Sequence, residues 1–287
     1  MYLGSIRFYK HLIIVALTLV IVIPVTFSAL VGAKNINYQS TIYEMNDKLQ
    51  AFEVKPGIEE LNYQALYPEM ITLQPEKSIY QEKTVYLTFD DGPSARTLEI
   101  LDILKTYKIK ATFFVTGKTD EASVNIMKEI VRQGHTIGIH TYTHKYIDIY
   151  ASVSSYLEDF HNEYQLIYES TGVKPEIYRF PGGSINAYNR ACYQQIIAEL
   201  SRRGFVYFDW NISMQDTATR ASTASIIQAS ITGVDQYSRV ILLGHDSSEK
   251  QAGVAALPMI IEKYMEAGFA FDKLTKEDVP ISFSYTE

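Results

Sequence analysis

From Lys83 to Leu274 the sequence alternates between short runs of β-branched and aromatic residues and longer amphipathic stretches. The expected strands are 84–89, 111–116, 136–140, 177–181, 206–210, 239–243 and 269–272. Helical patterns at 97–108, 122–133, 153–171, 189–203, 223–235 and 254–267 separate them. In the first of these, Leu98, Leu101, Leu104 and Tyr107 recur at the spacing of one helical face, with Ile100 and Ile103 beside them. Strands that alternate with helices imply an α/β fold with a parallel sheet, either open or closed into a barrel. A chain of 287 residues that is 47% apolar can bury one large core or two small ones.

This rhythm also says where chemistry belongs, because α/β folds place their sites at the carboxyl ends of the strands. Asp90 and Asp91 end the first strand, His140 ends the third, Arg179 lies near the end of the fourth, and His245 follows the sixth. Adjacent side chains on a strand point to opposite faces, so Asp90 and Asp91 can serve different partners. Alone, Asp90-Asp91-Gly92-Pro93 also reads as a polar turn.

His140-Thr-Tyr-Thr-His144 puts two imidazoles four residues apart. If that segment turns helically, both face one way and can share a metal ion. With a carboxylate from the Asp pair, the set has three protein ligands and an open position, as catalytic zinc sites do. Iron, cobalt or nickel would fit the same donors. Arg179-Phe-Pro-Gly182-Gly183 ends a strand in a glycine-rich turn, where a guanidinium could grip a carboxylate bidentately and backbone N–H groups could approach a substrate. Leu243-Gly-His245-Asp246 offers a general acid, with Asp216 or Asp246 as its orienting carboxylate. His135 reads as a structural turn residue and His161 as a helix-surface residue, and Cys192, the only cysteine, as a buried thiol that excludes an intrachain disulfide.

The N-terminus sets the expected compartment. Arg7, Lys10 and His11 precede an uncharged run from Leu12 to Ala33, long enough to cross a bilayer. Basic residues on its N-terminal side keep that end cytoplasmic and the remainder outside. Residues 1–33 are therefore expected to be a single-pass signal anchor in the cell membrane, although Val31-Gly32-Ala33 also resembles a cleavage site that would release the chain. Residues 34–82 read as a stalk whose last part packs on the domain edge, and 276–287 as a tail. A net charge of -7 gives no footprint for nucleic acid.

The ordered motifs TFDDGP, HTYTH, RFPGG, WNISMQD and LLGHD resemble the NodB-homology domain of polysaccharide deacetylases, carbohydrate esterase family 4. The resemblance spans 83–275 and implies a distorted (β/α) barrel that removes N-acetyl groups from an amino-sugar polymer, such as peptidoglycan, with a divalent metal, usually zinc. By position it implies metal ligands Asp91, His140 and His144, the base Asp90 tuned by Arg179, and the acid His245 oriented by Asp216. It also implies an oxyanion contact from the N–H of Gly182 and a pocket for the acetyl methyl lined by Leu243. Gly182 stands where the family often has tyrosine, and Thr217 where it often has tryptophan. Trp210 or a tyrosine would then supply the missing wall. A glycan-binding module without catalysis, or another metal-dependent amidohydrolase or esterase on this fold, are the rival readings.

Overall fold

The computed structural model describes residues 63–76 and 78–284. The apolar run 12–33 and the stalk up to residue 62 lie outside them. Among the described residues, no helix is long and apolar enough to cross a membrane.

Among the described residues, eight parallel strands form one sheet: β1 (Thr84–Gly92), β2 (Thr112–Thr116), β3 (Thr136–Thr141), β4 (Ile177–Tyr178), β5 (Val206–Tyr207), β6 (Ile212–Ser213), β7 (Arg239–His245) and β8 (Ala270–Asp272). Helices α1 (Ala95–Tyr107), α2 (Glu121–Arg132), α3 (Tyr146–Ile149), α4 (Val153–Thr171), α5 (Tyr193–Arg202), α6 (Thr223–Ile231) and α7 (Gln251–Glu266) connect them. The ladder runs β5-β4-β3-β2-β1-β7-β6, with β8 beside β1. It does not close between β5 and β6, so the sheet is a half-barrel of seven strands plus β8 rather than a closed barrel.

The strand β1 explains this arrangement. Its first residues pair with β8 and its later ones with β2 on one side, while β7 lies along the whole of the other. A strand paired on both edges and covered on both faces must be almost continuously apolar, and Val85, Tyr86, Leu87 and Phe89 are all buried. Two expected strands shrink. The stretch 177–181 pairs only at Ile177–Tyr178, because the chain turns away at Pro181, and 206–210 pairs only at Val206–Tyr207, after which 208–211 lead to β6, a strand not expected from the sequence.

Helix α1 also differs from its expected face. Thr97, Ile100, Leu101 and Leu104 are its buried residues, whereas Leu98 is exposed. Ser94 caps it in a capping box with Thr97, and so fixes where the helix starts and which face turns inward. Burial of each such leucine contributes about 1.5–3 kcal/mol. The segment 63–74 packs onto α4 and α5: His161 stacks on Tyr67 at 4.1 Å, and Arg203 donates to the carbonyls of Leu66 and Tyr67 at 2.7 and 2.8 Å. Residues 276–284 are bound to the sheet as well. Asp278 accepts from the buried Tyr86 hydroxyl at 2.7 Å, and Asp209 donates its N–H to Ile281 O at 2.8 Å in the gap between β5 and β6.

Candidate active site and metal centre

At the carboxyl end of β1 the register against β2 slips between Asp90 and Gly92, and Asp91 takes a left-handed φ of 72°. The extra residue is a bulge, which re-aims a side chain without ending the strand. Both carboxylates thus lie within β1, not after it as expected. Lys118 fixes the bulge by donating Nζ to Asp91 O at 2.9 Å and to Pro93 O at 3.0 Å. Left-handed backbone at a residue with a side chain costs on the order of 1–3 kcal/mol, so those contacts hold strain at the site.

Asp91, His140 and His144 offer ligand atoms that all lie within 4.8 Å of one another. The Oδ1 of Asp91 sits 3.4 Å from His140 Nε2 and 3.2 Å from His144 Nε2. It is buried and makes no hydrogen bond. A buried carboxylate oxygen without a donor is costly; facing two imidazole nitrogens, it suits a divalent cation. Burial opposes the charge on Asp91, but the two imidazoles outweigh it and hold its carboxyl well below the usual range. His140 Nδ1 lies 2.9 Å from the Arg179 carbonyl, which can only accept, so Nδ1 carries the hydrogen and Nε2 is turned to Asp91.

The route to His144 is not the helical turn expected from sequence. The chain bends through 142–145, and His144 is left-handed at φ 56°. Asp159 of α4 holds this bend: it accepts from Tyr142 N at 2.6 Å, Thr143 N at 2.9 Å, Thr143 Oγ1 at 2.6 Å, and the Thr141 hydroxyl.

Arg179 is fully buried. Its Nη1 donates to Asp90 Oδ1 at 2.9 Å and Thr88 Oγ1 at 2.7 Å, while Nε and Nη2 donate to the carbonyls of Phe208 and Asp209. The pairing with Asp90 is therefore single rather than the expected fork, since the other donors satisfy strand-end carbonyls. Trp210 lies 5.7 Å over this guanidinium and packs edge-on to Phe283 at 4.8 Å. Asp209 pins the following turn by accepting from Ser184 N at 2.8 Å and Phe283 N at 2.7 Å.

On the opposite side, Asp90 and His245 are register partners across β1 and β7. Asp216 accepts from the His245 backbone N–H at 2.8 Å and lies 2.8 Å from its Nδ1. Burial pulls the His245 pKa down, but Asp216, then Asp90 and Asp91, raise it above its ordinary value. Asp246, the rival orienting group, faces away from His245: Thr97 donates to its carboxylate, its N–H donates to Asp90 O, and burial pushes its pKa up to about 7. Leu243 is buried on β7 two residues before His245.

The site can be compared with known proteins. The profile of the polysaccharide deacetylase family matches residues 77–200. A peptidoglycan-N-acetylglucosamine deacetylase of Bacillus cereus is 31% identical over 209 residues, which are 71% of this chain and 74% of that protein. The chain belongs to the polysaccharide deacetylase family. YheN of Bacillus subtilis, provisionally named a polysaccharide deacetylase, is 36% identical over 204 residues, 70% of each chain. The catalytic domain of a peptidoglycan N-acetylglucosamine deacetylase from Eubacterium rectale superposes with a TM-score of 0.68 at 35% identity, covering 74% of this chain and 97% of that one.

Within this member of the polysaccharide deacetylase family the sequence-predicted residues Asp90, Asp91, His140, His144, Arg179, Asp216 and His245 lie in one connected cluster. Sequence reading missed Lys118, Asp159 and Asp209, the groups that hold its backbone. Asp159 did leave a signal. It shares the buried face of α4 with Tyr156, Phe160, Tyr164 and Ile167, where an acid facing the core calls for donors.

Proposed function

We propose that this polysaccharide deacetylase is a metal-dependent hydrolase that removes N-acetyl groups from an amino-sugar polymer of the cell wall, namely peptidoglycan or an N-acetylglucosamine glycan. The observation that carries the reading is the buried, donorless Asp91 Oδ1 beside two imidazole nitrogens, flanked by the Asp90–Arg179 and His245–Asp216 pairs. The names of its relatives support the substrate class. The apolar run 12–33 supports an anchored, outward-facing enzyme, where such a substrate lies.

A divalent cation, zinc or cobalt, held by Asp91, His140 and His144 would polarise the acetyl carbonyl and acidify a water molecule beside it. Asp90 accepts the proton of the attacking water, while Arg179 keeps its carboxylate aimed. The N–H of Gly182 would donate to the oxygen that becomes negative when the carbonyl carbon turns tetrahedral. His245, kept protonated by Asp216, gives its proton to the departing nitrogen. The C–N bond breaks, and acetate and a free amine leave. Leu243 and Trp210 would supply apolar walls for the acetyl group.

Two variants separate these roles. Asp90→Asn keeps one bound metal ion and loses turnover by at least about 100-fold, whereas Asp91→Ala loses metal and turnover together. Metal content by mass spectrometry and acetate release, measured on the same samples, check this. Full turnover in Asp90→Asn would remove it as the base.

A further inference from the structure

The replacement of tyrosine by Gly182 has a structural counterpart. Gly182 is left-handed at φ 76°, and a Cβ built on it would lie 2.9 Å from Tyr146 Cε1 and 3.2 Å from the Tyr146 hydroxyl oxygen. The space a side chain would claim at the third motif is thus filled by an aromatic ring from α3. Tyr146 packs edge-on to the ligand candidate His144 at 5.3 Å and to Tyr188 at 5.2 Å. The two tyrosines, with Lys145, Ile147 and Asp148, line an open groove of about 660 Å³, within the range of about 300–1,000 Å³ usual for small-molecule sites.

Tyr188 is 56% exposed, so its ring is open to solvent instead of serving the core. It is nevertheless held in place. Its N–H donates to Asn186 Oδ1 at 2.8 Å, and Asn186 Nδ2 donates to Pro181 O and Gly183 O, both at 3.1 Å. The aromatic platform and the Gly182 turn therefore form one hydrogen-bonded unit.

An amphipathic ring fixed at one end and wet at the other suits a ligand with both apolar and hydroxyl surface. A pyranose has both: an apolar C–H face and a rim of hydroxyls, for which Lys145 and Asp148 supply charged partners at the groove edge. We propose that Tyr146 and Tyr188 form a glycan subsite next to the Asp91–His140–His144 centre, on which a neighbouring pyranose ring of the polymer stacks. The proposal rests on the deacetylase reading and adds the position and chemistry of polymer recognition.

The test compares wild type with Tyr188→Ala and Tyr188→Phe on N-acetylglucosamine monomer and tetramer. Acetate release gives kcat and KM, and calorimetry gives binding of the unreacted tetramer to metal-free protein. The preference in kcat/KM for tetramer over monomer falls about tenfold in Tyr188→Ala, mostly through KM. Tyr188→Phe, which keeps the stacking face, restores most of it. The calorimetric affinity for the tetramer falls in parallel. An unchanged chain-length preference in Tyr188→Ala, or no binding of the tetramer by wild type, overturns the subsite. If wild type releases no acetate yet binds the tetramer through Tyr188, the subsite stands and the hydrolytic reading fails.

Discussion

Asp90 and Asp91 are chain neighbours that face different basic partners. One faces a fully buried guanidinium and the other faces two imidazoles, and the bulge between them keeps both at the same strand end. The same logic governs His245. Its pKa is raised mainly by Asp216 against the opposing effect of burial, so it remains an acid to higher pH than a free imidazole. Asp216→Asn should move the alkaline limb of the kcat profile down by about one pH unit or more, with lower turnover at the optimum, as pH-rate measurements would register. The stability contribution of this pair has the matching sign. It is fully present below the unfolded pKa of about 6.5 and is lost as pH rises through the higher folded value.

At the scale of elements, the site is held by side chains that take no part in the chemistry. Asp159 on α4 accepts all the donors that shape the bend carrying His144. Asp159→Ala leaves two buried or half-buried N–H groups and two hydroxyls without their acceptor, which should destabilise the fold by about 2–4 kcal/mol. Metal affinity should fall about 10–100-fold; denaturant melts and a metal titration read the two effects separately. The strand ends and their reactive residues were legible in the sequence because parallel strands alternate with helices and their carboxyl ends carry polar residues out of apolar runs. The approach to His144 was not. A four-residue spacing fits a helical turn as well as a bend, and only the distant Asp159 decides between them. Nor could a local pattern show that Arg179 spends two of its four hydrogen bonds on the carbonyls of Phe208 and Asp209, just past β5. The glycine at 182 signalled a missing ring, but its replacement, Tyr146, comes from another motif.

For the molecule as a whole, the incomplete ladder between β5 and β6 matters most. Residues beyond β8 occupy that gap, with Ile281 and Phe283 bonded to Asp209, next to the carbonyl that Arg179 uses. Removal of 276–287 also leaves the buried Tyr86 hydroxyl without Asp278. The truncated protein should lose about 2–4 kcal/mol of stability and a larger share of kcat than of substrate affinity, since Arg179 and Trp210 lose their backing; melting curves and kinetics of matched proteins with and without these residues would show it. The account as a whole stands on a metal-dependent deacetylation at the end of β1. Its most direct test is acetate release from peptidoglycan and N-acetylglucosamine oligomers by the chain from about residue 34, before chelation, after it, and after zinc or cobalt is restored. Acetate that disappears with the chelator and returns with the metal is the predicted result. Release that continues undiminished in a protein shown to be metal-free would contradict it.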